Sequence, residues 1–174
     1  MIANVPMESD HPIHLKNLLT LFLNPLNVSI YELQIEKESF EYKACHFKCN
    51  QKKILFRSAK LTPKKKGLFV TLWKRNSKGA IQPFTLKDSI DLCIIEAIDK
   101  DQIGYFIFDK HTLHANGIIS GKSKGKLGFR IYPTWTKPDN KQALTTQKWQ
   151  IPYFYESNPN DSQWKSIAHL FGSG

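Results

Sequence analysis

Residues 54–73 read Ile54-Leu55-Phe56-Arg57-Ser58-Ala59-Lys60-Leu61-Thr62-Pro63-Lys64-Lys65-Lys66-Gly67-Leu68-Phe69-Val70-Thr71-Leu72-Trp73, and this stretch decides how the chain folds. Aliphatic and aromatic residues flank a Thr-Pro-Lys-Lys-Lys-Gly break, the composition of two strands joined by a turn, predicted over 53–61 and 68–73. Just upstream, 40–48 has the same character and is separated from the first of these by a turn at Asn50-Gln51. Three consecutive strands at these spacings predict an antiparallel meander.

Outward from that centre the pattern changes. Asp10-His11-Pro12 reads as a helix start, and Ile13, Leu15, Leu18, Leu19 and Phe22 form an apolar stripe that Asn24-Pro25 ends. A second short helix is expected over 29–37. Downstream, 91–98 and 104–108 read as strands across a polar turn, and a short helix from Lys110 ends at Asn116-Gly117. Residues 120–128 mix glycine and serine with three lysines and read as a mobile basic loop, before a short strand at 129–132. The closing third is helical, over 141–151 up to Pro152 and over 162–171, where Trp164, Ile167, Ala168 and Phe171 share one face. The fold class is therefore α/β, of mixed α+β type, with a central mixed sheet flanked by helices.

The 174 residues suit one domain, able to bury a core without disulfide or metal. A hydrophobic content of 41% with 23% charged residues excludes global disorder and low-complexity classes. No apolar run approaches the roughly 18 residues of a membrane span, and the first residues lack the pattern of a secretory signal. The expected compartment is the cytoplasm, with Cys45, Cys49 and Cys93 as reduced thiols.

Charge is unevenly placed. Against a net +10, residues 42–87 hold thirteen basic side chains and no carboxylate, and 110–138 hold six more with none, while 1–41 and 88–109 hold six acids each. Segregation of this kind focuses a positive field, and polyanions, nucleic acid first, are the partners that respond to it. The plainer alternative is a basic protein with no such partner.

Motifs of known chemistry are scarce. Cys45 and Cys49 lie about 13 Å apart on an extended strand, too far to share one ion. The pairs His11/His14 and His111/His114 have no third ligand at a recognisable interval. Gly121-Lys122-Ser123-Lys124-Gly125-Lys126 lacks the leading glycine of a phosphate-cradling loop. What stands out is cations beside strands and rings. Arg57 and Lys60 bracket Ser58-Ala59, Lys74 and Arg75 follow Trp73, and Arg130 precedes Tyr132 and Trp135. Guanidinium and ammonium groups at neighbouring strand ends can converge on a phosphate, with rings available for stacking.

The stretch from Phe56 to Arg75 resembles the central signature of the bacterial MepB-like family. The resemblance continues through Pro83-Phe84, Asp88 and Asp91, 104–108, 117–120, 130–135, 140–143 and 146–150. It covers roughly residues 38–155 of a single domain spanning 1–174, with helical extensions at both ends. The resemblance implies a restriction-endonuclease-like fold, whose nucleases hold a divalent metal with acids and a lysine, often an acid-x-Lys triplet. Here the two candidate triplets are Ser58-Ala59-Lys60 and Leu72-Trp73-Lys74, with no acid in first place.

Three functions follow. The leading expectation is a nucleic-acid-binding protein on a nuclease-like fold with an incomplete catalytic motif, its contacts being Arg57, Lys60, Lys64, Lys74, Arg75, Arg130, Tyr132, Trp135 and Lys148. The second is a nuclease using Glu41, Lys60 and Asp91, with Mg²⁺ between Glu41 and Asp91; Glu38 and Asp88 are other acids near the basic strands. A third is a protein-interaction module presenting Gln142, Gln147, Trp149 and Gln150. No cofactor other than that conditional Mg²⁺ is expected, and no protein partner is named.

Overall fold

The computed structural model describes residues 11–172; Asp10, placed at the helix start, lies outside the described residues. In chain order the elements are α1 (Ile13–Leu18), β1 (Ile30–Ile35), β2 (Cys45–Cys49), β3 (Lys52–Ser58), β4 (Lys60–Thr62), β5 (Lys65–Thr71), β6 (Lys74–Arg75) and β7 (Ile81–Gln82). They continue with β8 (Leu92–Asp99), β9 (Gln102–Asp109), α2 (Lys110–Ala115), β10 (Gly128–Ile131), α3 (Lys141–Gln150), β11 (Phe154–Glu156) and α4 (Asp161–Leu170).

β3 and β8 form the centre of a six-stranded sheet of order β1-β2-β3-β8-β9-β11. They run parallel, with Ile54 beside Leu92 and Ser58 beside Glu96, and the other neighbours are antiparallel. Strands buried on both faces lose the in-out alternation of a half-exposed strand. Ile54, Phe56, Leu92 and Ile94 enter one core cluster, while Leu55, Cys93, Ile95 and Ala97 enter the other. The first cluster is closed by α1 and α4 through Leu15, Leu18, Ile167 and Phe171. The second is closed by β5, β10 and α2 through Leu68, Val70, Ile131 and Leu113. The result is a mixed α+β architecture with helices on both faces of a central sheet.

The expected meander is divided between two sheets. At Ala59 the chain leaves the large sheet, the Ala59 amide donating to the Glu96 carbonyl oxygen at 2.9 Å, and β4 joins β5 and β10 in a separate three-stranded sheet. The predicted strand 53–61 is therefore two strands. Residues 40–48 also differ from expectation: Phe40–Tyr42 is a 3₁₀ turn, Lys43 adopts φ +48°, and only then does β2 begin.

The largest correction is at 29–37, expected as a helix and observed as the edge strand β1. β11 and the β6–β7 pair were not anticipated. Helix α1 runs into a π-helical turn over Leu19–Leu23 and a 3₁₀ turn over Asn24–Leu26, ending at the expected Asn-Pro. α2 ends at Asn116 with Gly117 at φ +70°, as the sequence indicates. The loop expected to be mobile is tied down instead: the Gly125 amide donates to Ser120 Oγ at 2.8 Å and the Lys126 amide to the Ile118 carbonyl oxygen at 2.9 Å. None of the described helices is long and apolar enough to cross a membrane.

Candidate nucleic-acid interface

Two concavities hold four of the basic residues singled out from the sequence, Lys74 and Arg75 in one and Lys64 and Arg130 in the other. The larger, about 710 Å³, opens between the β1–β2 edge of the large sheet and the β6–β7 hairpin, over an apolar floor that includes Leu55, Trp73 and Phe84. Of its five lysines and arginines, Lys48, Lys74 and Arg75 are ion-paired, while Lys37 and Lys53 form no ion pair among the described residues. Arg75 donates to Glu38 at 2.6–2.9 Å, Lys74 to Asp88, and Lys48 lies 2.6 Å from Glu32. The hydrogen bond from Arg75 holds the Glu38 carboxyl below its usual range. Burial raises the Asp88 carboxyl, but the Lys74 ammonium and the Thr85 amide and hydroxyl outweigh that and hold it below the usual range. Arg75 also stacks over Trp73, 5.7 Å from the ring centroid. Four carboxylates among the lining, Glu32, Glu36, Glu38 and Asp88, temper the field that this cleft presents to a polyanion.

The second concavity, about 430 Å³, lies between the β4–β5 hairpin, β10 and the first turns of α3. Lys64, Lys65, Lys66, Lys126 and Arg130 line it, against the single acid Asp139. Among the described residues none of these five cations forms an ion pair. The placement of Arg130 follows from strand register: it lies opposite Phe69 on β5, 5.8 Å over that ring, and Phe69 in turn faces Lys60 on β4. Its guanidinium donates to Thr62 Oγ1 at 2.6 Å and to the Lys66 and Gly67 carbonyl oxygens at 3.2 and 3.4 Å, which engages three of its five N–H groups. The lysine triplet is drawn in by a bulge in β5. Gly67, at φ +76°, presses the hairpin against Ile131 and Tyr132 so closely that a Cβ there would sit 2.7 Å from backbone and ring.

A model of the MepB-like family matches residues 36–156, more than half of the chain. The crystal structure of MepB superposes with a TM-score of 0.72 at 37% sequence identity, covering 75% of this chain and 89% of MepB. The chain belongs to the MepB-like family. A search of curated proteins finds no match.

In this MepB-like chain the residues expected to contact phosphates separate into groups. Lys64, Arg130 and Tyr132 meet at the smaller groove, Tyr132 being mostly buried in its wall. Lys74 and Arg75 lie in the paired cleft. Lys60 shares the outer row of the small sheet with Arg130 but donates to Glu41 at 2.8 Å, over the Tyr42 ring. Lys148 is exposed on α3 outside the groove lining. Trp135 is half-buried and packs edge-on against Phe154, 5.3 Å between centroids, outside the groove lining. Arg57 is a correction: it is fully buried and grips Glu36 through both terminal nitrogens at 3.0 and 3.1 Å, out of reach of any strand.

The catalytic set that the family resemblance implied is not assembled in the structure. Asp91 accepts the Lys53 amide at 2.8 Å at the start of β3, whereas Glu41 sits with Lys60 beyond Ser58 at its far end. Lys53 and Ser58 alone are about 17 Å apart along the strand. Two carboxylates at opposite ends of a strand cannot share one Mg²⁺, whose oxygen ligands lie about 2.1 Å from the ion. Among the described residues no three His, Cys, Asp or Glu side chains gather closely enough to hold a metal. The cysteines offer no nucleophile either, since burial pushes all three thiols up to about 12.

The glutamines assigned to a partner surface turn inward. Gln150 is buried, accepting the Tyr132 amide and donating to the Arg130 carbonyl oxygen, and Gln147 donates to the carbonyl oxygens of Pro133 and Thr136. Trp149 packs against Phe108, 5.4 Å between ring centroids. These side chains clamp α3 to β10 and so fix one wall of the groove, while Gln142 alone stays exposed at its rim. Sequence reasoning missed Lys65, Lys66 and Lys126 as individual contacts. The signal was present in the Lys-Lys-Lys-Gly turn, where a bulged hairpin points consecutive lysines in different directions.

Proposed function

We propose that this MepB-like protein binds nucleic acid in the cytoplasm through the groove between the β4–β5 hairpin and α3, with Lys64, Lys65, Lys66, Lys126 and Arg130 contacting phosphates. One observation carries the reading: these five cations converge on a concave surface without carboxylate partners and beside a single acid, while the larger cleft sets four carboxylates among its cations and pairs Lys48, Lys74 and Arg75. Unpaired lysines and arginines release condensed counterions when they meet a phosphate backbone, and that release drives sequence-independent affinity. A nuclease reading gains no support from Glu41 and Asp91, which are engaged by Lys60 and by the Lys53 amide.

The test is a salt titration. The logarithm of the binding constant for single-stranded DNA should fall linearly with log salt, at a slope of about −0.7 per phosphate contacted. Arg130→Gln should flatten the slope by about one contact. Binding that ignores salt, or no binding at low salt, rejects the proposal.

A further inference from the structure

We infer that the groove is shaped for the end of a strand, holding one nucleotide by a terminal phosphomonoester, rather than for a backbone running past it. This deepens the nucleic-acid reading of the same site and rests on it.

Size is the first ground. A volume of about 430 Å³ lies in the lower half of the range of small-molecule sites, about 300–1,000 Å³. A duplex, whose major groove alone is about 12 Å wide, cannot enter such a space. One nucleotide can.

Charge is the second ground. A phosphodiester carries one negative charge, but a terminal monoester carries about −1.5 to −2 at neutral pH and three acceptor oxygens. Lysines spread evenly along a surface suit a running backbone. Here Lys64 and Lys66 from the hairpin, Lys126 from the pinned loop and Arg130 from β10 gather along a single cavity whose facing wall is α3. Concentrated positive charge of this kind gains most from the most highly charged phosphate. Arg130 is held in place beforehand by Thr62 and the Lys66 carbonyl oxygen, so little side-chain freedom is lost when its remaining N–H groups take up a phosphate oxygen.

The third ground is the rest of the lining. Trp149 and Tyr132 contribute aromatic surface, and Gln142 and Thr146 contribute hydrogen-bonding groups. A sugar and base could use these groups, whereas an isolated inorganic anion has no use for them. The same chemistry describes two sources, the phosphorylated 5′ end of a strand and a free nucleoside monophosphate.

The experiment compares a short single strand bearing a 5′-phosphate with the same strand ending in a 5′-hydroxyl, both labelled at the 3′ end and followed by fluorescence anisotropy. The phosphorylated strand should bind about tenfold more tightly, the effect of added charge-assisted hydrogen bonds. Arg130→Gln should remove that preference, whereas Lys78→Gln, on the exposed β6–β7 turn away from the groove, should retain it. Adenosine 5′-monophosphate is the competitor: displacement at an affinity matching the strand assigns the site to a free nucleotide, and failure to displace assigns it to the strand end. Equal, salt-sensitive affinity for the two ends overturns this inference and leaves general nucleic-acid binding intact. If neither strand nor nucleotide binds, both readings fall.

Discussion

Glu96 carries a carboxyl group into the core at the point where β3 leaves the large sheet. It is 1% exposed, accepts hydrogen bonds from Ser58 Oγ at 2.9 Å and Tyr105 Oη at 3.1 Å, and lies 3.8 Å from Lys43 Nζ. Burial raises its pKa above the usual 4.5, and the hydrogen bonds with Lys43 nearby only partly offset that. A carboxyl whose pKa is raised by folding favours the folded state while protonated. Its contribution is fully present below about pH 4.5 and is lost as pH climbs through the raised value. The neutral isostere Glu96→Gln removes this dependence. In urea titrations across pH 4.5 to 8 the variant should gain on the wild type as pH rises; a gap that narrows with pH would contradict the burial argument. Arg57, next to Ser58 on β3, shows another arrangement, a buried guanidinium that donates to both carboxylate oxygens of Glu36 and to the Phe56 carbonyl oxygen.

The bulged β4–β5 hairpin decides where the groove cations stand, and Gly67 decides the bulge. Its φ of +76° disfavours any side chain, at a cost of about 1–2 kcal/mol, and a Cβ would meet the Ile131 carbonyl oxygen and the Tyr132 ring at 2.7 Å, an overpacking that costs about 1–3 kcal/mol more. Gly67→Ala should therefore lower stability by about 2–5 kcal/mol in chemical denaturation and weaken DNA binding by displacing Lys64–Lys66. A variant that keeps both stability and affinity would show that the bulge does not shape the site. At this scale the sequence was readable where a pattern is local. The strands on both sides of the lysine turn, the α2 terminus at Asn116-Gly117 and the apolar face of α4 follow from composition and spacing. β1 was misread because Glu32, at φ +51°, interrupts the register between Tyr31 and Gln34. That irregularity destroys the two-residue alternation and leaves Ile30 and Leu33 three apart, as on a helix. β11 has only three residues after Pro152, too few to show any period. The split at Ala59 depends on a hydrogen bond to a residue 37 positions away.

Across the whole molecule, net charge and charge location part company. The basic stretch 42–87 looks uncompensated in sequence, yet Glu32, Glu36, Glu38 and Glu41 from the acid-rich first segment and Asp88 from the segment after it fold back onto its Lys48, Arg57, Arg75, Lys60 and Lys74. Such pairing between distant segments is invisible to a count along the chain, so Arg57, Lys60, Lys74 and Arg75 stood out equally with the residues that stay unpaired. Lys64 and Arg130 were legible because no acid among the described residues pairs with them once the chain folds. The consequence can be measured with two double variants that each lower the net charge of +10 by two. Lys60→Gln with Arg75→Gln removes cations from exposed ion pairs, which contribute little to stability, and should leave DNA affinity within about twofold of wild type, because the lost positive charges were already compensated by Glu41 and Glu38. Lys64→Gln with Lys66→Gln removes two uncompensated groove cations and should reduce affinity about tenfold or more at low salt while flattening the salt slope by about two contacts. If the two variants lose affinity equally, binding follows total charge and the groove has no special role; if only the second loses it, the field that nucleic acid senses is the one focused between the hairpin and α3.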